Sequence, residues 1–325
     1  MWRSLAILSM AGLMLGACAG TATTLPELDA DAMASEARTQ ETRALTTRRE
    51  NMERLMRIAR PILVANAPLC PKTRPTIGVQ LHSADSYDKR LRPAALRELG
   101  AGEHLSVFVV APDSPASRAG LRPGDRFLRD GKPMGGAALR DALGESGGTL
   151  SVQRGLETLS VELVPETTCA SGLRLQDGSA INAYANGRTI TVSAGMLEFV
   201  DSDEELALIV GHELAHNTMG HIRKSVMNYL LSGGATRYTR PFESESDYVG
   251  MYYMVRAGFD PAGVEDVWRR LAEVDPRSVN RAKTHPTFPD RYLRLAATRA
   301  EIEAKQAAGE PLIPNFKKTA DAAQD

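Results

Sequence analysis

His212-Glu213-Leu214-Ala215-His216 sets two imidazoles four residues apart, with a carboxylate beside the first. On a helix, residues four apart share a face, so both rings can reach one ion. Neutral imidazole is a good zinc ligand, at ~2.0–2.1 Å. Glu213 is then placed to accept a proton from an attacking water. The chemistry implied is metal-assisted hydrolysis with one Zn²⁺ per chain.

Two histidines leave such a site one ligand short. His221 lies five residues beyond His216 with Gly220 directly before it, whereas the longer three-histidine pattern needs a spacing of six. His221 is therefore read as packing, or as support for a ligand. The segment Glu243-Ser244-Glu245-Ser246-Asp247 offers a better third ligand. If it is helical, Glu243 and Asp247 share a face. Glu243 can bind the metal, and Asp247 can accept a hydrogen bond from the free ring N–H of a ligating histidine. Glu245 points elsewhere by the same geometry and is the competing assignment.

Several elements must carry these groups. Asp201-Ser202-Asp203-Glu204 supplies an N-cap and first-turn acids for the helix bearing the two histidines. Upstream, Ile181–Ala185 and Thr189–Ser193 read as strands joined by Asn186-Gly187, a hairpin signal. From about Ala32 to Ala65 the pattern is helical. Met52, Leu55, Met56, Ala59, Ile62 and Leu63 are apolar, while Arg49, Arg54, Arg57 and Arg60 are read as a solvated face. Pro61 is placed to kink or break that helix, and Pro68 and Pro71 around Cys70 argue against helix there.

Residues 75–165 differ in character, with short β-rich runs such as Leu105–Val110 between Gly/Pro turns. Ser114-Pro115-Ala116-Ser117-Arg118-Ala119-Gly120-Leu121-Arg122-Pro123-Gly124-Asp125 resembles the short helix and turn of PDZ domains in bacterial HtrA-type proteases. By that resemblance Ile77-Gly78-Val79 form the peptide-carboxylate loop, Ala137–Leu143 the groove helix and Leu150–Arg154 a closing strand. Arg92–Leu99 is read as a helix within a long excursion. A PDZ groove takes peptide termini by strand addition.

Further motifs occur in order: Asn182-Ala183-Tyr184-Ala185-Asn186-Gly187, Gly195-Met196-Leu197, the histidine helix, Glu243 with Asp247, and Arg256-Ala257-Gly258-Phe259-Asp260-Pro261. Together they resemble peptidase family forty-eight, the HtpX- and Oma-like gluzincins. The resemblance implies a zinc endopeptidase with ligands His212, His216 and Glu243 and base Glu213. It also marks Thr284-His285-Pro286, where His285 would stabilise an oxyanion, hold the open metal position, or simply support a turn. Arg291 would pair with substrate backbone or with an acid such as Asp290. In related peptidases the N-terminal helix runs almost directly into the Asn-Ala-Tyr strand. The PDZ-like region would therefore be an insertion, with Cys70 and Cys169 at its two junctions, where a disulfide would staple the neck.

Arg3 followed by apolar Leu5–Leu15 is signal-like, and Leu15-Gly16-Ala17-Cys18 resembles a bacterial lipobox. Residues 1–17 would then be cleaved and Cys18 lipidated. Ala19, rather than Asp, after the cysteine points to the periplasmic face of the outer membrane of a Gram-negative bacterium. The expected organisation continues as tether and helix over 18–74, PDZ-like domain over 75–165, peptidase domain over 166–310 and a loose polar tail over 311–325.

The 325 residues are 43% hydrophobic and 24% charged, with 39 Lys+Arg against 40 Asp+Glu. That composition excludes a disordered chain and argues against a general nucleic-acid binder. Only one apolar run stands out, which excludes a multi-span membrane protein. The expected fold class is α+β, with a mostly helical zincin-type domain carrying a small β-hairpin and a β-rich PDZ-like domain. The expected partners are unfolded or misassembled envelope proteins, peptide termini, and the membrane through a lipid anchor. The alternatives are an envelope chaperone or scaffold with a latent cleft, and a zinc hydrolase of cell-wall amide bonds.

Overall fold

The structure, a computed structural model, describes residues 23–231, 239–280 and 286–316. The expected leader with Cys18, His285, and the end of the tail from 317 lie outside them. The chain divides into two compact units, 1–40 and 41–325. In the first, the Asp29 carboxylate accepts the Ala32 N–H at 2.8 Å and opens helix α1 (Ala30–Ala65).

The second unit is α+β. It begins with the rest of α1, which buries Met52, Leu55, Ile58, Ala59, Ile62 and Leu63. The helix runs through Pro61 instead of breaking there. Pro61 forfeits one backbone bond, but burial of Ile62 and Leu63 holds the final turn. A 3₁₀ turn, Ala67–Leu69, then forms despite the prolines, because Pro68 sits in its first turn where an N–H is not needed. The α1 arginines form only in part the expected solvated face: the side chains of Arg49 and Arg57 are 39% and 50% exposed, whereas Arg54 and Arg60 are largely buried. Arg54 donates to Asp203 at 3.0 Å and to the Leu197 carbonyl at 2.6 Å, and Arg57 pairs with Asp203.

Next come β1 (Thr73–Thr76), β2 (Val79–His82), α2 (Arg92–Leu99), β3 (Ser106–Val110), α3 (Pro115–Arg118), β4 (Arg126–Arg129), β5 (Lys132–Pro133), α4 (Gly136–Leu143), β6 (Gly148–Arg154), β7 (Glu157–Leu163) and β8 (Glu166–Cys169). An antiparallel sheet in the order β5-β4-β6-β7 and the antiparallel pair β2-β3 enclose a core of Val107, Leu121, Phe127, Leu139, Val152 and Leu163. Ser114 caps α3 by accepting the Ser117 N–H at 3.1 Å. Strand β3 is buried on both faces. Val107 faces this core, while Phe108 and Val109 join the core that holds α1.

The two ends of this β-rich stretch meet. Strand β1 pairs antiparallel with β8, from Thr73 opposite Cys169 to Thr76 opposite Glu166. Cys70 and Cys169 are joined by a disulfide beside the ladder. Arg60 on α1 clasps Glu166 with two hydrogen bonds, 2.6 and 2.5 Å.

The remaining elements are β9 (Gly172–Gln176), β10 (Ala183–Ala185), β11 (Thr189–Ser193), α5 (Ala194–Phe199), α6 (Asp203–Thr218), α7 (His221–Leu231), α8 (Arg240–Arg256), α9 (Val267–Val274) and α10 (Phe288–Ala307). The sheet order is β10-β11-β9, with β11 antiparallel to β10 and parallel to β9. Strand β10 is shorter than the spacing predicts, because Asn182 and Ala180 give their carbonyls to the Ser193 hydroxyl. Ser202 caps α6 through the Glu205 N–H at 3.1 Å. The core joins Leu206, Leu208, Val210 and Leu214 of α6 to Tyr252 and Met254 of α8 and to Leu55 and Ile62 of α1.

The described start of the expected loose tail is tied down. Arg256 donates to the Leu312 carbonyl at 3.1 Å and Lys305 to the Ile313 carbonyl at 2.7 Å. Among the described residues no helix is long and apolar enough to cross a membrane.

Candidate metal centre

Helices α6 and α8 meet backbone to backbone. A Cβ on Gly211 would lie 2.4 Å from the Gly250 carbonyl oxygen, and one on Gly250 would lie 2.5 Å from the His212 nitrogen. Only glycine permits that approach. It brings the acidic start of α8 against the histidine face of α6.

His212, His216 and Glu243 converge there, with their donor atoms within 4.8 Å of one another. The two Nε2 atoms are 3.1 Å apart, and Glu243 lies 3.5 Å from each ring through one or the other carboxylate oxygen. A tetrahedral ion with ligands at ~2.05 Å separates its donors by roughly 3.3 Å. The three groups therefore fit zinc in both chemistry and spacing. All three are buried.

Behind the donors stands a second polar layer. His212 Nδ1 is 2.8 Å from Asp247, and Arg291 on α10 grips the same carboxylate with bonds of 2.7 and 2.6 Å. The Arg291 guanidinium lies over the Trp268 ring, 3.4 Å from its centroid. Asp290, one expected partner of Arg291, pairs with Arg294 at 2.9 Å instead. Burial alone would raise Asp247, but the charge and hydrogen bonds of Arg291 hold its carboxyl below the usual range. Burial opposes a charged His212, yet the Asp247 and Glu243 carboxylates prevail and raise it to about 10. The pocket thus favours positive charge at its centre.

Glu213 is buried beside the pair. Burial pushes its carboxyl up, against the pull of His212 and His216. A carboxyl raised in this way is a stronger base than an exposed one. His221 is fully buried. Its Nδ1 lies 3.2 Å from His216 Nδ1, and its Nε2 lies 2.7 Å from Glu245. Glu245 therefore faces His221 and not the three donors. No local spacing signals this contact, because it depends on the chain reversal at Gly220.

Of Ile77, Gly78 and Val79, expected as a peptide-carboxylate loop, the first two link β1 to β2 and Val79 opens β2. Ile77 is buried in the β-rich core, with Val79 packed against it. Gly78 has φ +77°, and a Cβ there would lie 2.3 Å from that of Ser114. Its N–H donates to the Thr76 hydroxyl at 3.2 Å. Leu139 and Leu143 of α4 share the cluster with Ile77, and beyond β3 strand β2 has no second partner among the described strands.

Two histidines one helical turn apart with a glutamate from a following helix form the donor arrangement of an HExxH metal site. Residues 164–236 match the model of Peptidase family M48. That segment includes the histidine pair and stops short of Glu243. The chain is similar to the mitochondrial metalloendopeptidase OMA1 of Schizosaccharomyces pombe, 22% identical over 165 residues, 41% of this chain and 49% of the relative. It is also similar to the beta-barrel assembly-enhancing protease of Yersinia pestis, 25% identical over 165 residues, 39% of this chain and 34% of the relative. The chain thus spans about half or less of the length of these curated relatives. Among solved structures, the HtrA3 PDZ domain bound to a phage-derived ligand (FGRWV) is 28% identical, covering 30% of this chain and 89% of that one, with a TM-score of 0.23.

Proposed function

We propose that this chain is a zinc metalloendopeptidase acting on unfolded or misassembled proteins of a bacterial envelope. The observation that carries the reading is the convergence of His212, His216 and Glu243 beside Glu213. Zinc, when bound, supplies a Lewis acid that polarises the scissile carbonyl and makes water more acidic. Glu213 takes the proton of the attacking water and passes it to the leaving amine. Asp247, backed by Arg291, holds His212 in the tautomer that turns Nε2 toward the ion.

Strand β10 pairs only with β11 among the described strands, so an extended substrate can add to its free edge. That mode selects chains whose backbone is exposed and so favours unfolded proteins. The β-rich stretch captures peptide termini in a PDZ-like manner, along the open edge of β2 beside α4. Its attachment by the β1–β8 ladder and the Cys70–Cys169 bridge holds that groove at a fixed place on the peptidase scaffold, raising the effective concentration of captured substrate. Cys18 carries the lipid that anchors the chain to the outer membrane.

The test is zinc uptake and cleavage by the purified chain. Dialysis against zinc should load one equivalent, and the loaded protein should cut denatured casein at internal bonds until a chelator is added. A chain that takes up zinc but leaves denatured casein intact refutes the peptidase reading.

A further inference from the structure

His216 presents Nε2 to Glu243 and His212, so a neutral ring bound through that atom carries its proton on Nδ1. The equivalent proton of His212 goes to Asp247. That of His216 meets another imidazole, His221, whose Nδ1 lies 3.2 Å away with the two rings edge to face at 81°. An imidazole accepts at Nδ1 only when its own proton is on Nε2. His221 Nε2 lies 2.7 Å from the Glu245 carboxylate, which can only accept. The Ser246 hydroxyl, 3.0 Å from the same Nδ1, is a second potential donor to it and agrees with that tautomer.

Resting on the zinc reading, we propose that His221 is a positioning residue for the metal. Glu245 fixes its tautomer, and His221 in turn accepts the Nδ1 proton of His216 and holds that ring on the ion.

The fold is built for this contact. On an uninterrupted helix a residue five positions beyond His216 would point about 140° away from it. Gly220, at φ +68°, ends α6 and starts α7, which returns His221 to the histidine cluster. His221 is 0% exposed and stacks on Phe242, with ring centroids 4.8 Å apart. One short run of α8 then serves the whole centre. Glu243 faces the ion, Asp247 supports His212, and Glu245 supports His216 through His221.

The test is zinc affinity, measured by chelator competition on the full chain. His221→Phe keeps a ring against Phe242 but removes the acceptor, and zinc should bind 10–100-fold more weakly. Glu245→Ala, at a side chain 42% exposed, should weaken binding several-fold, whereas Glu245→Gln, which still accepts from Nε2, should stay within about threefold of wild type. Adding Glu245→Ala to His221→Phe should cost nothing further, because the two residues act in series. Wild-type affinity in His221→Phe overturns the proposal. If that chain does not fold, wild-type affinity in Glu245→Ala overturns it equally. A wild-type chain that binds no zinc defeats the metal reading itself, a separate outcome.

Discussion

Gly250 on α8 touches the backbone of His212 on α6, and a Cβ at Gly250 would stand 2.5 Å from the His212 nitrogen. The contact sets the distance between the helix that bears two donors and the helix that bears the third. Gly250→Ala must push them apart. The expected cost is about 1–3 kcal/mol in urea unfolding, with weaker zinc binding as Glu243 withdraws. Unchanged stability and unchanged zinc affinity would show that the helices can separate without disturbing the donors.

Asp247 and Arg291 form an ion pair with side chains 1% and 5% exposed. Removing one partner strands the other charge. Arg291→Met should destabilise the fold by about 3–5 kcal/mol. Combining it with Asp247→Leu should recover part of that loss in stability but not zinc affinity, since His212 would still lack its acceptor. Urea titration of the two variants, each with and without zinc, separates the effects.

His82 offers a pH-dependent test away from the metal. It stacks on Phe108 at 4.7 Å and lies 2.7 Å from the Tyr87 hydroxyl. Burial, with the nearby Arg48 charge, lowers its pKa to about 4. The unfolded chain therefore binds a proton below about 6.5 that the folded chain refuses until about 4. Stability from this residue is complete above pH 6.5 and is lost as pH falls toward 4, with a slope approaching about 1.4 kcal/mol per unit. His82→Gln should show a shallower fall over that window. An identical pH profile would rule His82 out as the titrating group.

The Cys70–Cys169 bridge closes a loop with a sequence separation of 99. On the chain-entropy model such a closure contributes about 4–5 kcal/mol. Replacing both cysteines with serine should lower stability toward that amount while leaving zinc uptake intact, because the metal donors come from α6 and α8. Loss of zinc binding in the double variant would mean that the neck also shapes the metal centre.

Much of the metal centre was legible in the sequence because its groups repeat at helical spacing. His212 with His216, and Glu243 with Asp247, each occupy one helix face and need no tertiary information to be paired. Helix α2 and the β10–β11 hairpin were equally readable from local signals. Arg54 of α1 departs from the solvated face because its partner Asp203 lies 149 residues further on, which composition cannot show. The β1–β8 ladder was missed for a related reason. Thr-Arg-Pro-Thr has little strand character, and it is ordered by a partner brought to it by chain closure. Arg291 was noticed, but its true partner Asp247 lies on another helix, 44 residues away. The contact between Gly250 and His212 leaves no local trace, since a glycine within a helix can equally be a mere weakness.

The most direct measurement is cleavage of denatured casein by zinc-loaded Glu213→Gln beside the wild type. Glu213 is not among the three converging donors, so the variant should hold one zinc per chain. Without the carboxylate that moves the proton, its rate should fall by at least about 100-fold. Cleavage at the wild-type rate by the zinc-loaded variant would contradict Glu213 as the base and, with it, the hydrolytic role of this site.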